Sequence, residues 1–269
     1  ADFVFGIFFI LYICQYYVGQ LYYFQILVIL ADNLFMKIIF HEKPSIVNSV
    51  FSRVYKKYDF MNDIMSLGIH RIWKNKLIDW MRPQPNETLI DVASGTGDVA
   101  KLFSKKCNNS SKISCVEPNS EMFHVGKSNL KKFKNINWYK ANAEKLPFED
   151  DTYNFYTISF GIRNVSDINL SLKEAFRVLK PGGRFMCLEF SKVNNEIINL
   201  FYKQYSKLIP LVGKYIVGSS KPYDYLIKSI NEFYAQEELK NLMQKNGFTN
   251  VKYRNLSNGI SAIHSGWKI

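Results

Sequence analysis

The octet at residues 91–98, Asp-Val-Ala-Ser-Gly-Thr-Gly-Asp, constrains the fold of this chain more than any other feature. It follows the short apolar run Thr88–Ile90 and precedes the apolar-periodic stretch Val99–Phe103. This pattern predicts a strand, a glycine-rich turn and the start of a helix. Gly95 and Gly97 let the backbone pass close to a ligand and reach φ values that are closed to other residues. The octet therefore predicts a βα unit with a ligand at its turn.

Acidic residues at both ends of this turn indicate the class of ligand. A pyrophosphate prefers the N–H groups of a helix N-terminus without nearby carboxylates, whereas Asp91 ends the predicted strand and Asp98 opens the predicted helix. These carboxylates suit a cationic ligand, and S-adenosylmethionine carries a sulfonium, an ammonium and a ribose diol. Two alternatives stay open. The glycine spacing, with Glu117 downstream, also matches a dinucleotide fingerprint, and both aspartates could be turn and capping residues only.

Polar residues also follow the next two strand candidates. The predicted strand at residues 112–116 is followed by Glu117, whose carboxylate is expected to accept both ribose hydroxyls. The predicted strand at residues 137–140 is followed by Asn142, which is expected to read the adenine edge, and by Ala143, which is small enough to let the ring lie flat. In open α/β sheets ligands bind at the carboxyl ends of the strands, so these side chains are expected to share one edge.

Two longer motifs resemble a known family. Residues 58–73 read Tyr-Asp-Phe-Met-Asn-Asp-Ile-Met-Ser-Leu-Gly-Ile-His-Arg-Ile-Trp, and residues 177–191 read Arg-Val-Leu-Lys-Pro-Gly-Gly-Arg-Phe-Met-Cys-Leu-Glu-Phe-Ser. Both are similar to the signatures of the UbiE-type C-methyltransferases of ubiquinone and menaquinone biosynthesis, in their mitochondrial-type form. The resemblance extends over roughly 43–269, with shorter matches at 159–165, 218–226 and 263–268.

The resemblance implies S-adenosylmethionine as the cofactor and assigns its contacts. They fall on the glycine turn and on the residues after the following strands: Asp91, Gly95, Thr96, Gly97, Glu117, Asn142, Ala143 and Ser159. Three positions depart from the family pattern. Ser94 stands where a further Gly is usual, Glu117 replaces Asp, and Asn154 replaces an Asp common in the fourth motif. None of these changes removes a group that the chemistry needs.

The alternation of strands and helices from residue 88 to residue 191 predicts a parallel sheet with helices on both faces. Residues 181–183, Pro-Gly-Gly, are predicted to turn into the fifth strand. The resemblance implies the Rossmann-like class I S-adenosylmethionine-dependent methyltransferase fold, with seven strands, the last antiparallel. We expect the catalytic domain to span 42–269, with a mostly helical insertion at about 194–246 that covers the acceptor.

Methylation of a quinol ring carbon requires the loss of a ring hydroxyl proton, so that charge reaches the carbon that attacks the methyl group. Arg163 and Asn164 follow the predicted strand at 155–159 and are expected to hold the ring oxygens. Arg is a poor base, so its expected role is to lower the pKa of the quinol while water or His70 takes the proton. His70 could instead only cap a helix or pack beside Trp73.

The remaining predicted site residues lie in the first signature and in the insertion. Tyr58, Asp59 and Asn62 are expected to form the cap over the cofactor, with Tyr58 as a catalytic residue and Asp59 and Asn62 in contact with the substrate, although Asp59 could be a helix N-cap only. Tyr223 is expected to line the acceptor pocket and the other aromatic residues of the insertion to form an apolar channel for a polyprenyl tail or simply to pack helices.

The first 41 residues form a separate hydrophobic segment. Residues 3–31 contain no charged side chain, which makes them a transmembrane candidate. The segment is either a membrane anchor or translated sequence upstream of a natural start, since the first Met is Met36. The whole chain carries a formal net charge of +12, and because the first 41 residues contribute −1 (Asp2, Asp32 and Lys37), the rest carries +13, which suits an anionic membrane surface or nucleic acid. The first signature argues against a nucleic-acid substrate.

We expect C-methylation of a polyprenyl benzoquinol in ubiquinone biosynthesis. A demethylmenaquinol substrate and a non-catalytic scaffold role in a quinone-biosynthesis complex stay open. The ending at residues 263–267 favours the matrix side of the mitochondrial inner membrane, with peripheral attachment. Expected partners are the membrane surface and other quinone-biosynthesis proteins, and a homodimer is left open. The Cys and His spacings predict no metal site.

Overall fold

The part of the chain that the structure describes contains both helices and strands. A computed structural model describes Ser66, residues 68–193 and residues 221–269, with backbone alone at residues 221–223. The described helices are α1 (His70–Met81), α2 (Asp98–Lys106), α3 (Ser120–Asn129), α4 (Ile168–Val178), α5 (Lys221–Glu232) and α6 (Gln236–Lys245). The strands are β1 (Leu89–Val92), β2 (Ile113–Val116), β3 (Ile136–Tyr139), β4 (Tyr153–Ser159), β5 (Leu179–Phe190), β6 (Thr249–Leu256) and β7 (Ser261–Trp267).

The strands form one sheet of seven, in the order β3-β2-β1-β4-β5-β7-β6. The first five in this order are parallel, and β7 runs antiparallel to both β5 and β6. Strand β1 lies between β2 and β4, so the chain leaves β1 in one direction and later returns on its other side. This reversal opens a crevice at the carboxyl ends of β1 and β4, the usual ligand position in such sheets.

Two apolar cores cover the two faces of the sheet. One contains α1 and α2 side chains such as Leu77 and Phe103, and the other contains α4 and α6 side chains such as Leu172 and Met243. Successive residues of a strand point to opposite faces. Accordingly, Phe155 and Tyr156 of β4 belong to different cores. Helices therefore lie on both faces, as the sequence predicted.

Side chains fix the beginnings of two crossover helices. Asn119 accepts a hydrogen bond from the Met122 N–H at the start of α3, and Asp167 accepts one from the Leu170 N–H at the start of α4. Both are N-cap residues, which satisfy an N–H group that the helix itself leaves unbonded. The α3 cap places this helix directly after Glu117, at the edge of the sheet where the ligand is expected.

The fifth strand differs from the prediction. Pro181-Gly182-Gly183 does not precede β5 but lies within it, because Leu179 already pairs with Tyr153 and pairing resumes at Arg184 opposite Phe155. Gly182 has a φ of 77° in this irregularity. The backbone pairs across it with the chain end, since Gly182 N–H donates to the Lys268 carbonyl. The strand pair predicted to close the sheet is confirmed as β6 and β7.

Part of the predicted domain organisation lies outside the described residues. The boundary between residues 41 and 42 and the first part of the insertion, residues 194–220, belong to this part. The remainder of the insertion is helical, as α5 and α6 show. None of the helices within residues 68–193 and 221–269 has the length and apolar character required to cross a membrane.

Candidate active site

The glycine-rich turn connects β1 to α2 and is held to β2 by backbone contacts. Ser94 N–H donates to the Val116 carbonyl at 3.1 Å, and the Ser94 hydroxyl donates to the Asp91 carbonyl at 2.5 Å. Gly97 has a φ of 86°, and a Cβ added there would lie 2.5 Å from Leu130 Cδ1. A side chain at Gly97 would thus be strained by the backbone conformation and would require Leu130 to shift. The predicted strand, turn and helix are confirmed.

Asp91 provides a buried carboxylate beneath this turn. It lies one residue before the end of β1, and its Oδ1 accepts a hydrogen bond from the Thr157 hydroxyl at 2.7 Å. Its Oδ2 is buried and has no hydrogen-bond partner among the described residues. Burial raises the pKa of Asp91 to about 7, although the Thr157 hydroxyl and the Lys74 ammonium favour the ionised form. A cationic or hydrogen-bond-donating ligand would satisfy the second oxygen.

Asp98, the other acidic residue of the turn, has an internal partner. Lys74 of α1 donates to its Oδ2 at 2.7 Å. Burial alone would raise the pKa of Asp98, but the Lys74 ammonium outweighs it and the pKa lies below its ordinary value. The sequence alone predicts that both carboxylates attract a cationic ligand. The structure shows that the charge of Asp98 is matched by Lys74, so that argument depends on Asp91.

Glu117 connects the turn to the beginning of α3. Its Oε2 accepts the Gly95 N–H at 2.9 Å and its Oε1 accepts the Asn119 N–H at 3.0 Å. The side chain is buried, and burial raises its pKa to about 7 against these two hydrogen bonds. Each carboxylate oxygen can accept a further hydrogen bond. The carboxylate therefore keeps the capacity to accept two ribose hydroxyls, the role predicted for it.

The other predicted cofactor contacts lie at the same edge of the sheet. Thr96 is buried within the turn, and Ala143 is buried just beyond β3. Asn142 is exposed, and its backbone pairs with Lys145 in an isolated bridge. Ser159 ends β4, and its buried hydroxyl has no hydrogen-bond partner among the described residues. The adenine-reading role of Asn142 stays a prediction.

Arg163 is held in a buried ion pair that the sequence did not predict. Its Nη1 donates to Glu189 Oε1 at 2.6 Å and to the Phe160 carbonyl at 2.8 Å. Both side chains of the pair are at most 3% exposed. Arg163 Nε and Glu189 Oε2 are buried without a hydrogen-bond partner among the described residues. The pair is therefore neutral overall, and two of its polar atoms stay available.

Asn164 and His70 have different neighbours. Asn164 Oδ1 accepts a hydrogen bond from the Tyr225 hydroxyl at 3.0 Å, which connects the turn after β4 to α5. Burial raises the pKa of Tyr225, which the nearby Arg163 opposes. His70 is buried at the start of α1, with Nδ1 3.0 Å from the Ser66 hydroxyl. The hydrogen bond fixes the ring in place, and its role as proton acceptor stays a prediction.

Four predicted site residues have no described side chain. Tyr58, Asp59 and Asn62 lie outside the described residues, and Tyr223 is described by its backbone only. Sequence reasoning also missed Lys74, Glu189 and Tyr225 as site residues. For Glu189 a signal existed, because a carboxylate stands in the middle of the otherwise apolar stretch at residues 185–190.

The residues present fit S-adenosylmethionine. The crevice offers an unpaired carboxylate oxygen on Asp91 and an acidic ribose acceptor in Glu117. Gly126 of α3 packs closely against the turn, since a Cβ there would lie 2.7 Å from the Gly95 carbonyl oxygen. A dinucleotide would bring a pyrophosphate against Asp91, which its charge disfavours. The donors and charges therefore favour the sulfonium cofactor over a dinucleotide.

Several solved structures share this fold. The fold is similar to a S-adenosylmethionine-dependent methyltransferase of Thermotoga maritima, with a TM-score of 0.59 and 20% identity over 82% of this chain and 99% of that one. It is also similar to one of Aquifex aeolicus, with a TM-score of 0.55 and 18% identity over 73% of this chain and 89% of that one. The fold is that of the class I S-adenosylmethionine-dependent methyltransferases.

Sequence relatives define the family more narrowly. Residues 39–268 match the ubiE/COQ5 methyltransferase family. The ubiquinone/menaquinone biosynthesis C-methyltransferase UbiE of Rickettsia bellii is 50% identical, over 87% of this chain and 97% of the relative. The protein of the same name from Brucella abortus is 45% identical, over 85% of this chain and 87% of the relative. The chain belongs to the ubiE/COQ5 methyltransferase family, and it is a methyltransferase.

Proposed function

We propose that this protein transfers the methyl group of S-adenosylmethionine to a ring carbon of a polyprenyl benzoquinol in ubiquinone biosynthesis. The observation that carries the proposal is the 50% identity to a UbiE C-methyltransferase over nearly its whole length. The crevice also supports the proposal, because one buried carboxylate lies near the carboxyl end of β1 and another lies just after β2. A demethylmenaquinol is the alternative acceptor, because the names of the relatives include both ubiquinone and menaquinone biosynthesis.

The residues of the crevice give a mechanism for this proposal. When bound, S-adenosylmethionine supplies an electrophilic methyl group on a sulfonium, whose bond electrons remain with the departing thioether. Asp91 and Glu117 hold and orient the donor, and orientation is a large part of catalysis of this kind. The acceptor loses a hydroxyl proton and its ring carbon forms the new C–C bond. That carbon then loses its own proton to water, which restores the aromatic ring, and the ring oxygen regains a proton from solvent.

Arg163 and Asn164 would position the acceptor. Because Glu189 already neutralises Arg163, the guanidinium acts as a directed hydrogen-bond donor through Nε rather than as a full positive charge. Such preorganised donors stabilise a developing phenolate. Asn164 is held by Tyr225 and keeps its amide N–H groups for a ring oxygen. The hydroxyl proton passes to water or to His70.

Location and partners form part of the proposal. We place the protein peripherally on the matrix side of a mitochondrial inner membrane, with other quinone-biosynthesis proteins as neighbours and no nucleic acid as substrate. The net charge of +12 supports attraction to an anionic membrane surface. The relatives named above are bacterial, so the C-terminal segment at residues 263–267 is what supports the mitochondrial location. Imaging of the full chain in cells of its source tests it.

An acceptor assay with the full chain tests the function. The protein is incubated with S-adenosylmethionine and a demethyl-benzoquinol or demethyl-naphthoquinol that carries a short polyprenyl tail, and mass spectrometry detects the added methyl group. We expect faster turnover of the benzoquinol. Asp91→Asn, which keeps the shape of the side chain and removes its charge, is expected to raise KM for S-adenosylmethionine at least about tenfold.

Three other outcomes of the acceptor assay and of the binding measurement would change the proposed function. Faster turnover of the naphthoquinol would establish the alternative acceptor. Binding of S-adenosylmethionine by calorimetry, without methylation of either quinol, would refute the proposed substrate class. A folded protein that binds no S-adenosylmethionine would indicate a scaffold role instead.

A further inference from the structure

A second pocket lies away from the cofactor crevice, between α1 and the antiparallel edge of the sheet. Its volume is about 580 Å³, and α1, β5, β6 and β7 each contribute to its walls. None of the predicted cofactor or acceptor residues whose side chains the structure describes lines it. The β5 residue in its wall, Arg184, precedes Glu189 by five positions and lies in the other half of the strand. The volume falls in the usual range for small-molecule sites.

Two guanidinium groups converge in this pocket on a single indole ring. The Arg254 guanidinium lies 4.2 Å from the centre of the Trp80 ring, and that of Arg184 lies 5.1 Å from it. Arg184 is 8% exposed and is fixed by Nε, which donates to the Ser265 hydroxyl at 2.7 Å, and by Nη1, which donates to the Trp80 carbonyl at 3.0 Å. Arg254, in contrast, is exposed.

Among the described residues, no carboxylate pairs with these two guanidinium groups. Within residues 68–193 and 221–269, neither Arg184 nor Arg254 takes part in a salt bridge. Asp79 is the one acidic residue among the described lining residues, and it lies 3.4 Å from Lys106. Burial and the neighbouring Arg254 together lower the pKa of Arg184 to about 10. Like charges held close together are unfavourable unless an anion lies between them.

The rest of the lining indicates what kind of anion would fit. Lys76 and Arg82 add two more cations, so four positive side chains face the pocket. Guanidinium groups bind phosphate with paired, charge-assisted hydrogen bonds, and a phosphate ester carries more charge than a carboxylate. Leu256 and Ile263 form an apolar part of the wall. Both a head group of high negative charge and an apolar portion can therefore be accommodated.

We propose that this pocket is a binding site for a phosphate group of a small amphiphilic ligand, held by Arg184 and Arg254 beside Trp80. The ligand is either a soluble phosphate ester or a phospholipid head group, which share this chemistry. The site is separate from the methyl-transfer crevice, and its existence does not depend on the proposed acceptor.

Calorimetric titration of the full chain with inorganic pyrophosphate tests the proposal, with cosedimentation on phosphatidylcholine vesicles with and without phosphatidylglycerol as the lipid arm. Arg254→Gln is expected to weaken binding about tenfold or more and to leave the fold intact, because Arg254 is exposed. Arg184→Gln is a second variant. Lys132→Gln is the matched control, since it removes one exposed charge near β3, at the opposite edge of the sheet.

NMR spectra of the tryptophan indole N–H groups show where the anion binds. Pyrophosphate is expected to shift the resonances of Trp80 and Trp267 and to leave that of Trp138, which lies beside the glycine turn, unchanged. Pyrophosphate binding that Arg254→Gln weakens identifies a soluble phosphate ligand. Vesicle binding that needs phosphatidylglycerol and Arg254, without pyrophosphate binding, identifies the lipid source. Three results would overturn the proposal. They are the absence of both pyrophosphate binding and vesicle binding, an equal loss of binding in Lys132→Gln and Arg254→Gln, and competition between S-adenosylmethionine and pyrophosphate.

Discussion

Buried charged residues determine the chemistry of the cofactor crevice at the scale of single side chains. Asp91 and Glu117 are acidic groups whose pKa burial raises to about 7, while Glu189 is buried against Arg163. An unpaired buried charge is costly, whereas a paired one can be close to neutral in its effect on stability. A cationic or hydrogen-bond-donating ligand would therefore stabilise ionised Asp91 and Glu117, whereas Glu189 is already stabilised by Arg163.

Glu189→Gln is expected to destabilise the protein. It leaves the Arg163 guanidinium buried without a counter-charge, which typically costs about 3–5 kcal/mol in free energy of unfolding. Urea denaturation measures this cost. Glu232→Gln is the matched control, because Glu232 pairs with Lys228 at 3.8 Å with both side chains mostly exposed, and such pairs contribute less than about 1 kcal/mol. Equal costs for the two variants would show that the buried pair has no electrostatic weight.

At the scale of elements, the glycine turn is shaped by the helix that follows β2. Gly126 of α3 packs against the turn, and a Cβ there would lie 2.7 Å from the Gly95 carbonyl oxygen and against the Trp138 ring. A helix normally gains about 1 kcal/mol when Gly is replaced by Ala. Here the Gly95 carbonyl oxygen cannot move without moving the turn, so the steric conflict outweighs the gain in helix stability and the substitution is expected to destabilise the protein.

Gly126→Ala is therefore expected to lower the free energy of unfolding by about 1–3 kcal/mol and to weaken S-adenosylmethionine binding. Chemical denaturation and calorimetric titration measure the two effects. Ser128→Ala, at an exposed position of the same helix, is expected to change neither. A Gly126→Ala variant as stable as the wild type would mean that the turn can shift without cost.

Local patterns were sufficient to predict most elements and most placements at the crevice. The turn after β1, the polar residues after β2 and β3, and the closing strand pair follow from chain order, because parallel strands bring their carboxyl ends to one edge. The Arg163–Glu189 pair joins residues 26 positions apart, and Lys74 reaches Asp98 from another helix. Such contacts depend on packing in three dimensions, which no local pattern encodes. The irregularity within β5 was mispredicted because a Pro-Gly-Gly segment usually ends a strand.

At the scale of the whole molecule, pH connects folding to ligand binding. The pKa values of Asp91 and Glu117 in the folded protein exceed their unfolded values of 3.8 and 4.5, so their joint contribution to stability is fully present below pH 3.8 and is lost as pH rises through about 7. His264 acts in the opposite sense. Burial lowers its pKa from 6.5 to about 4, so its contribution is present above 6.5 and is lost as pH falls towards 4.

The rise in Tm that S-adenosylmethionine produces is expected to shrink as pH falls below about 7. The ligand favours ionised Asp91 and Glu117, so binding must release protons once these groups are protonated, and affinity falls by up to about tenfold per pH unit and per group. The contribution of His264 is common to the free and bound forms and cancels. Thermal denaturation with and without ligand across this range measures the effect.

In the same experiment, Glu117→Gln distinguishes the contribution of Glu117 to the pH dependence from that of Asp91. The variant binds more weakly, and its pH dependence is expected to be shallower because one titrating group has been removed. A ligand-induced shift in Tm that is the same on both sides of pH 7 in the wild type would contradict the assignment of these two groups to the cofactor.

The hydrogen bond from Gly95 to Glu117 has a consequence for the speed of ligand association. The turn is already held in shape by the side chain that later accepts the ribose, so ordering of this segment is completed during folding. Association then exchanges hydrogen-bond partners on a preorganised surface and loses little conformational entropy there. The encounter rate at the crevice is consequently governed by diffusion and not by rearrangement of the turn.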